Sequence, residues 1–270
     1  HLAVKNVLAV PKKSNWKMVT PDGYLHRSSK SFNENMNIQP IIDLDQELLL
    51  KINGSDSLFW DGFMWIATNM LTWIPLAVVL LYLIFKNNKV KEALLIIGML
   101  ALVITLTDQI ASGFCKPFFA RFRPTQDPEL MYQIDIVNGY RGGIYGFVSS
   151  HAANTFGIAI FLSLIIRSWS LGIMLFSWAC INAYSRMYLG VHYPGDIFCG
   201  TLIGLGIGTL IFMLYTYVRK KFIHSPNYIS NQYTSTGYLN SDISLVHFVF
   251  LLTIFYILIG GMIKIQISLF

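Results

Sequence analysis

The fold this sequence predicts is all-α: an integral membrane bundle of about six transmembrane helices, preceded by a short N-terminal helix at the membrane surface. Three observations carry that reading. Hydrophobic residues make up 54% of the 270. Charged residues make up only 13%, where soluble domains carry about 25%. The apolar residues also fall into long runs separated by short polar stretches, for a mean hydropathy of +0.52. The length suits one bundle rather than several domains.

Residues 40–53 mix apolar and charged positions at helical spacing and predict the surface helix, which Gly54 ends. Six spans follow, at about 62–85 (interrupted by Pro75), 93–114, 151–166, 171–189, 194–217 and 245–263. A bilayer core about 30 Å thick needs about 20 helical residues. The third span is short, which suits a helix whose polar start opens into a site. The domain reading is a polar arm at 1–35, a membrane core at 36–222, a polar loop at 223–243 and a final transmembrane helix at 244–270. The arm is rich in Lys, Ser and Asn and lacks the apolar core of a signal peptide. Met36 is a plausible start for the domain proper, so the arm reads either as foreign to the native protein or as a natural disordered extension.

The net charge is +6. Its basic residues cluster at the ends of apolar segments, which fits anionic headgroups and phosphate-bearing lipids and argues against nucleic acid. Lys86, Lys89, Lys91, Arg167, Arg219, Lys220 and Lys221 all fall on one side of the predicted bundle. The positive-inside rule makes that side cytoplasmic. Cys115, Cys180 and Cys199 have no paired spacing, so neither a disulfide framework nor a zinc site is expected.

Three stretches on the opposite side carry the chemistry: Lys116-Pro-Phe-Phe-Ala-Arg-Phe-Arg123-Pro124, Val148-Ser149-Ser150-His151, and Ser185-Arg186-Met-Tyr-Leu-Gly-Val-His192-Tyr-Pro-Gly-Asp196. His192 and Asp196 are one helical turn apart, so the carboxylate can fix the tautomer of the imidazole and leave its other nitrogen free to attack. Capping a helix is the bland alternative for such a pair. Ser149 and Ser150 stand at the start of a helix, where the first amides form an anion site. His151 stands at its mouth, placed to protonate a leaving oxygen. Lys116, Arg123 and Arg186 are cations beside apolar runs. An intramembrane charge costs roughly 2.5–3.5 kcal/mol, so several converging cations ask for an anion. Arg121, Tyr140 and Arg141 are further candidates to contact substrate, although the two arginines also read as solvated loop charges. The loop Asn138-Gly-Tyr-Arg-Gly-Gly143 can bend sharply enough to bring backbone to a ligand.

Lys-x6-Arg-Pro, Ser-x-His and Ser-Arg-x5-His-x3-Asp together resemble the three signature motifs of the type 2 phosphatidic acid phosphatase superfamily. The resemblance organises the chain from Leu44 to about Phe222. It implies a six-helix membrane fold with an extracytoplasmic active site in the inner membrane of a bacterium, and no metal or cofactor. By motif position it makes Lys116, Arg123 and Arg186 phosphate ligands, assisted by Ser149. It makes His151 the general acid, His192 the nucleophile and Asp196 its partner. The family pattern Pro-Ser-Gly-His departs here to Val148-Ser-Ser150-His, which loses a rigid Pro and a close-approach Gly. The Ser150 hydroxyl stands in as a donor. The loop at 138–143 and the Gly190–Asp196 context are similar to bacterial members that act on lipid A. Isoprenyl diphosphate recycling stays open beside it. A lipid-phosphate binder or transporter without turnover is the alternative class. Oligomeric state is not fixed. Gly200, Gly204 and Gly208 share one helix face, with packing inside the bundle expected and a dimer face as the alternative.

Overall fold

A computed structural model of the chain describes residues 39–222 and 231–268. The polar arm and residues 223–230 of the expected polar loop lie outside the described residues. Among the described residues the chain is helical, with no strand and two isolated bridges, Phe122 with Tyr145 and Tyr233 with Leu239.

Helix α1 spans Gln39–Ile52, with Pro40 in its first turn, where a missing N–H costs nothing. Gly54 ends it with a φ of +64°, the left-handed conformation that favours glycine, and a Cβ there would also collide with the Asp135 side chain. The amide of Gly54 donates to the carbonyl of Tyr188 at 3.0 Å, which ties α1 to the bundle.

The first expected span is two helices. Helix α2 is Leu58–Ala67 and α3 is Ile74–Asn87, with a 3-10 turn at Met70–Trp73 between them. The Asn69 side chain caps that turn. Thr72 Oγ1 and Trp73 Nε1 donate to the carbonyls of Ile66 and Ala67 at 2.7 and 2.8 Å, satisfying the end of α2. Pro75 therefore opens a helix rather than interrupting one.

Helix α4, Val90–Asp108, widens into a π-helical turn at Gln109–Cys115 and closes with a short helix at Lys116–Phe119. Helices α5 (Ser150–Ile166), α6 (Trp169–Tyr188), α7 (Pro194–Phe222) and α8 (Asn240–Ser268) complete the bundle. Four segments are long and apolar enough to cross a membrane: Met70–Asn87, Val90–Phe119, Pro194–Lys221 and Asn240–Ile263. Helix α5 is apolar but shorter. Val78, Leu202, Leu210, Leu251 and Phe255 are exposed on these helices, a distribution that suits hydrocarbon and not water.

Helices α5 and α7 pack through the glycine face, which lies inside the bundle as expected. A Cβ on Gly200 would sit 2.5 Å from the Ser149 carbonyl oxygen, and one on Gly208 2.6 Å from that of Gly157. Both helices start at the same end of the bundle, and the Ser149 amide donates to the Asp196 carbonyl at 3.1 Å. That contact joins the second and third motifs. The far end is pinned by Arg219 to Glu92 at 2.6 Å and Lys86 to Asp242 at 2.7 Å. Asp196 and Arg219 are about 34 Å apart along α7 at 1.5 Å per residue.

Candidate active site

Four chain segments deliver the site: the end of α4, the loop after it, the start of α5, and the α6–α7 junction. The π-helical turn sets the face on which Lys116 emerges. Its Nζ donates to Ser112 Oγ at 3.0 Å and to Ser150 Oγ at 3.2 Å, linking the first motif to the second.

Ser149 is the N-cap of α5. It is fully buried, and its Oγ accepts from the Ala152 amide at 3.4 Å. Ser150 and His151 form the first turn. Val148, where the family pattern has proline, is buried against Ala111, Cys115 and Ala153. His151 is half-buried, its ring has no hydrogen-bond partner among the described residues, and it lies within electrostatic reach of Arg186, His192, Lys116 and Arg123.

His192 is 1% exposed. Its Nδ1 lies 3.3 Å from Asp196 Oδ2, and its Nε2 lies 3.4 Å from Arg123 Nη1. Burial comes first, followed by Arg123, Arg186 and Lys116, in holding its imidazole well below the usual range. The nucleophile candidate is thus neutral in neutral solution. Asp196 is fully buried and its Oδ2 also accepts from the Tyr193 amide at 3.0 Å. Pro194 begins α7, as a first-turn proline should.

Arg123 is buried and donates through Nε to the Tyr145 carbonyl at 3.2 Å and through Nη1 to the Val191 carbonyl at 3.4 Å. Gly142, at φ +66°, packs on this guanidinium, and its absent Cβ would meet Nη1 at 2.9 Å. The glycine loop therefore folds over a phosphate-ligand candidate. Arg186 is also buried. It donates through Nη1 to Thr68 Oγ1 at 2.8 Å and through Nη2 to the Tyr140 hydroxyl at 3.1 Å. Its Nε is buried with no protein partner among the described residues. Three guanidinium or ammonium groups thus surround two histidines.

Two candidates point elsewhere. Arg141 Nη1 donates to the Thr125 carbonyl at 3.0 Å, at the foot of its own loop. Arg121 donates to Asp196 Oδ1 at 3.0 Å and to Asp45 Oδ2 at 2.6 Å. Sequence reasoning missed Asp45 and Thr68. Asp45 left a signal, because Ile42, Asp45, Leu49 and Ile52 share one face of α1, so a carboxylate interrupts an otherwise apolar stripe. Thr68 left none, since it stands in the unforeseen break after α2.

Buried cations gathered on a histidine–carboxylate pair at one end of a membrane bundle define the class: an integral membrane phosphatase. The profile of the PAP2 superfamily matches residues 93–220. The lipid A 4'-phosphatase of Porphyromonas gingivalis is 35% identical over 212 residues, 78% of this chain and 90% of that protein. The lipid A 4'-phosphatase of Bacteroides thetaiotaomicron is 45% identical over 179 residues, covering 65% and 78%. An undecaprenyl-diphosphatase of Sulfolobus acidocaldarius is 30% identical over 141 residues, covering 51% and 61%. The chain belongs to the PAP2 superfamily.

Proposed function

We propose that this protein removes a phosphate from an amphipathic lipid through a phosphohistidine on His192, and that lipid A, at its 4'-phosphate, is the preferred substrate. The observation that carries the mechanism is the His192 ring, held at Nδ1 by Asp196 with Nε2 turned toward Arg123. Binding alone would need the cations but no oriented nucleophile. The two relatives named lipid A 4'-phosphatase are 35% and 45% identical to this chain, against 30% for the undecaprenyl-diphosphatases, which favours lipid A over undecaprenyl diphosphate.

The fold is a six-helix membrane bundle in which α5 and α6 join the four segments long and apolar enough to cross alone, while α1 lies at the surface. The membrane is the inner membrane of a bacterium, with the site on the extracytoplasmic face. The basic residues at the far ends of α3, α5 and α7 support that orientation.

Two steps follow. The lone pair of His192 Nε2 attacks phosphorus in line as the bond to the leaving oxygen breaks, and His151 gives that oxygen a proton. His151 then takes a proton from water, the water oxygen bonds phosphorus, and the P–N bond breaks. Lys116, Arg123, Arg186 and the first amides of α5 stabilise the equatorial oxygens. The buried Nε–H of Arg186, without a partner among the described residues, is a donor left for this role.

The test is phosphate release by detergent-purified protein, with EDTA present, from lipid A and from undecaprenyl diphosphate side by side. Release from lipid A, with loss of its 4'-phosphate by mass spectrometry, is expected. Release from undecaprenyl diphosphate alone would overturn the substrate. Dependence on an added metal would overturn the mechanism.

A further inference from the structure

Asp196 has a second side-chain partner besides His192, and through it a second helix. Its Oδ1 accepts from Arg121 Nη1 at 3.0 Å. Arg121 Nη2 donates to Asp45 Oδ2 at 2.6 Å. Asp45 Oδ1 in turn accepts from the Gly195 amide at 2.6 Å, in the first turn of the helix that carries Asp196. The four groups close a ring that runs from α7 through the loop to α1 and back to α7.

The ring is enclosed. The Asp45 and Asp196 side chains are 10% and 0% exposed, and that of Arg121 is 25% exposed. The Tyr193 ring lies under the guanidinium at 4.0 Å, and its hydroxyl donates to Asp127 at 2.9 Å. Gly195 has no room for a side chain, since a Cβ would meet Asp45 Oδ2 at 2.8 Å. Both terminal nitrogens of Arg121 are engaged by carboxylates, which turns this cation away from a substrate phosphate. Two buried carboxylates share it, and removing it would leave both without their guanidinium.

We propose that Arg121 and Asp45 are positioning residues. They fix the Asp196 carboxylate with Oδ1 bound, so that Oδ2 alone meets His192 Nδ1 and sets the angle of the imidazole. Helix α1 is thereby a working part of the catalytic unit. This inference rests on His192 acting as the nucleophile.

The experiment compares R121A, R121K, D45N and H192A with the wild type, using the lipid phosphate that the wild type turns over and recording kcat, KM and the thermal midpoint. R121A should lower kcat about 100-fold, the usual effect of misplacing a reacting group by about 1 Å, with KM nearly unchanged. Added methylguanidinium should restore part of that kcat, which a purely structural defect would not allow. D45N can still accept from Gly195 but loses the ion pair, so an intermediate loss of kcat is expected. If R121A does not fold, R121K and D45N decide by the same split between kcat and KM. A rise in KM at constant kcat would make Arg121 a substrate contact and overturn the inference. So would activity lost only in proportion to unfolded protein. H192A separates the two readings. An inactive H192A beside fully active Arg121 variants overturns this inference alone, whereas an active H192A overturns the proposed nucleophile.

Discussion

Replacing Gly204 with alanine puts the α5–α7 contact under direct test. A Cβ at this position would press on the Ala153 carbonyl oxygen and would lie 3.0 Å from Gly157 N and 3.1 Å from the Ala153 carbonyl carbon. All three atoms belong to the backbone of α5, so no rotamer relieves the contact and the helices must part. Overpacking of this kind costs about 1–3 kcal/mol. Alanine returns about 1 kcal/mol of helix propensity over glycine. Because every clashing atom is backbone, the cost falls in the upper part of its range, for a net loss of about 1–2 kcal/mol. For a chain of this size that is a fall of about 2–8 °C in the thermal midpoint in detergent. Parting the helices also strains the Ser149–Asp196 backbone bond at 3.1 Å, which registers the second motif on the third. A displacement on the order of 1 Å there would lower kcat about 100-fold. The control is Gly206→Ala on the same helix, where a Cβ meets nothing within 4 Å. It should match or exceed the wild type in midpoint and leave kcat unchanged. If G204A and G206A behave alike in both measurements, the glycine face does not register the site, and the reasoning fails.

His192→Ala should abolish turnover while leaving lipid-phosphate binding largely intact, as read by a binding assay on the same preparation; normal turnover would remove the histidine mechanism. The pH dependence follows from the depressed imidazole of His192. A lowered pKa keeps the ring neutral into mild acid, so the acid limb of kcat/KM should lie below about 6.5, the ordinary value. A bound phosphate adds negative charge and raises that pKa, so the acid limb of kcat should sit at higher pH than that of kcat/KM. Coincident limbs in the two profiles would argue against His192 as the titrating group. Tyr140→Phe removes one acceptor from Arg186, a charged hydrogen bond of the kind that contributes about 1.5–3 kcal/mol. We expect kcat/KM to fall about 10-fold or more, and an unchanged value would show that Thr68 alone holds the guanidinium.

The parts of this molecule legible in its sequence are those whose partners are close along the chain or repeat at helical spacing. The four-residue step from His192 to Asp196 is one such case, and the glycine face of α7 is another. The apolar runs were equally plain. What stayed hidden depends on partners far apart in sequence. Arg121 looks like a loop cation until α1 brings Asp45 beside it. Thr68 is invisible because the break that exposes it is made by Asn69, Thr72 and Trp73 capping one another's turns, and not by Pro75. The Ser149 oxygen also caps the helix it begins by accepting from the Ala152 amide, a role that leaves its O–H able to donate.

The wide turn at Gln109–Cys115 has a consequence for mapping this protein in a bilayer. Above it, one helical phase assigns each residue of α4 to lipid or to protein. Through it the phase slips, and Phe114 near its end and Phe118 beyond it stack on an outer face that a wheel drawn from the first half would place elsewhere. A scan with membrane-soluble thiol reagents along α4 should therefore show two periodic patterns out of step with each other. The slip between them is the rotation that turns Lys116 toward Ser150.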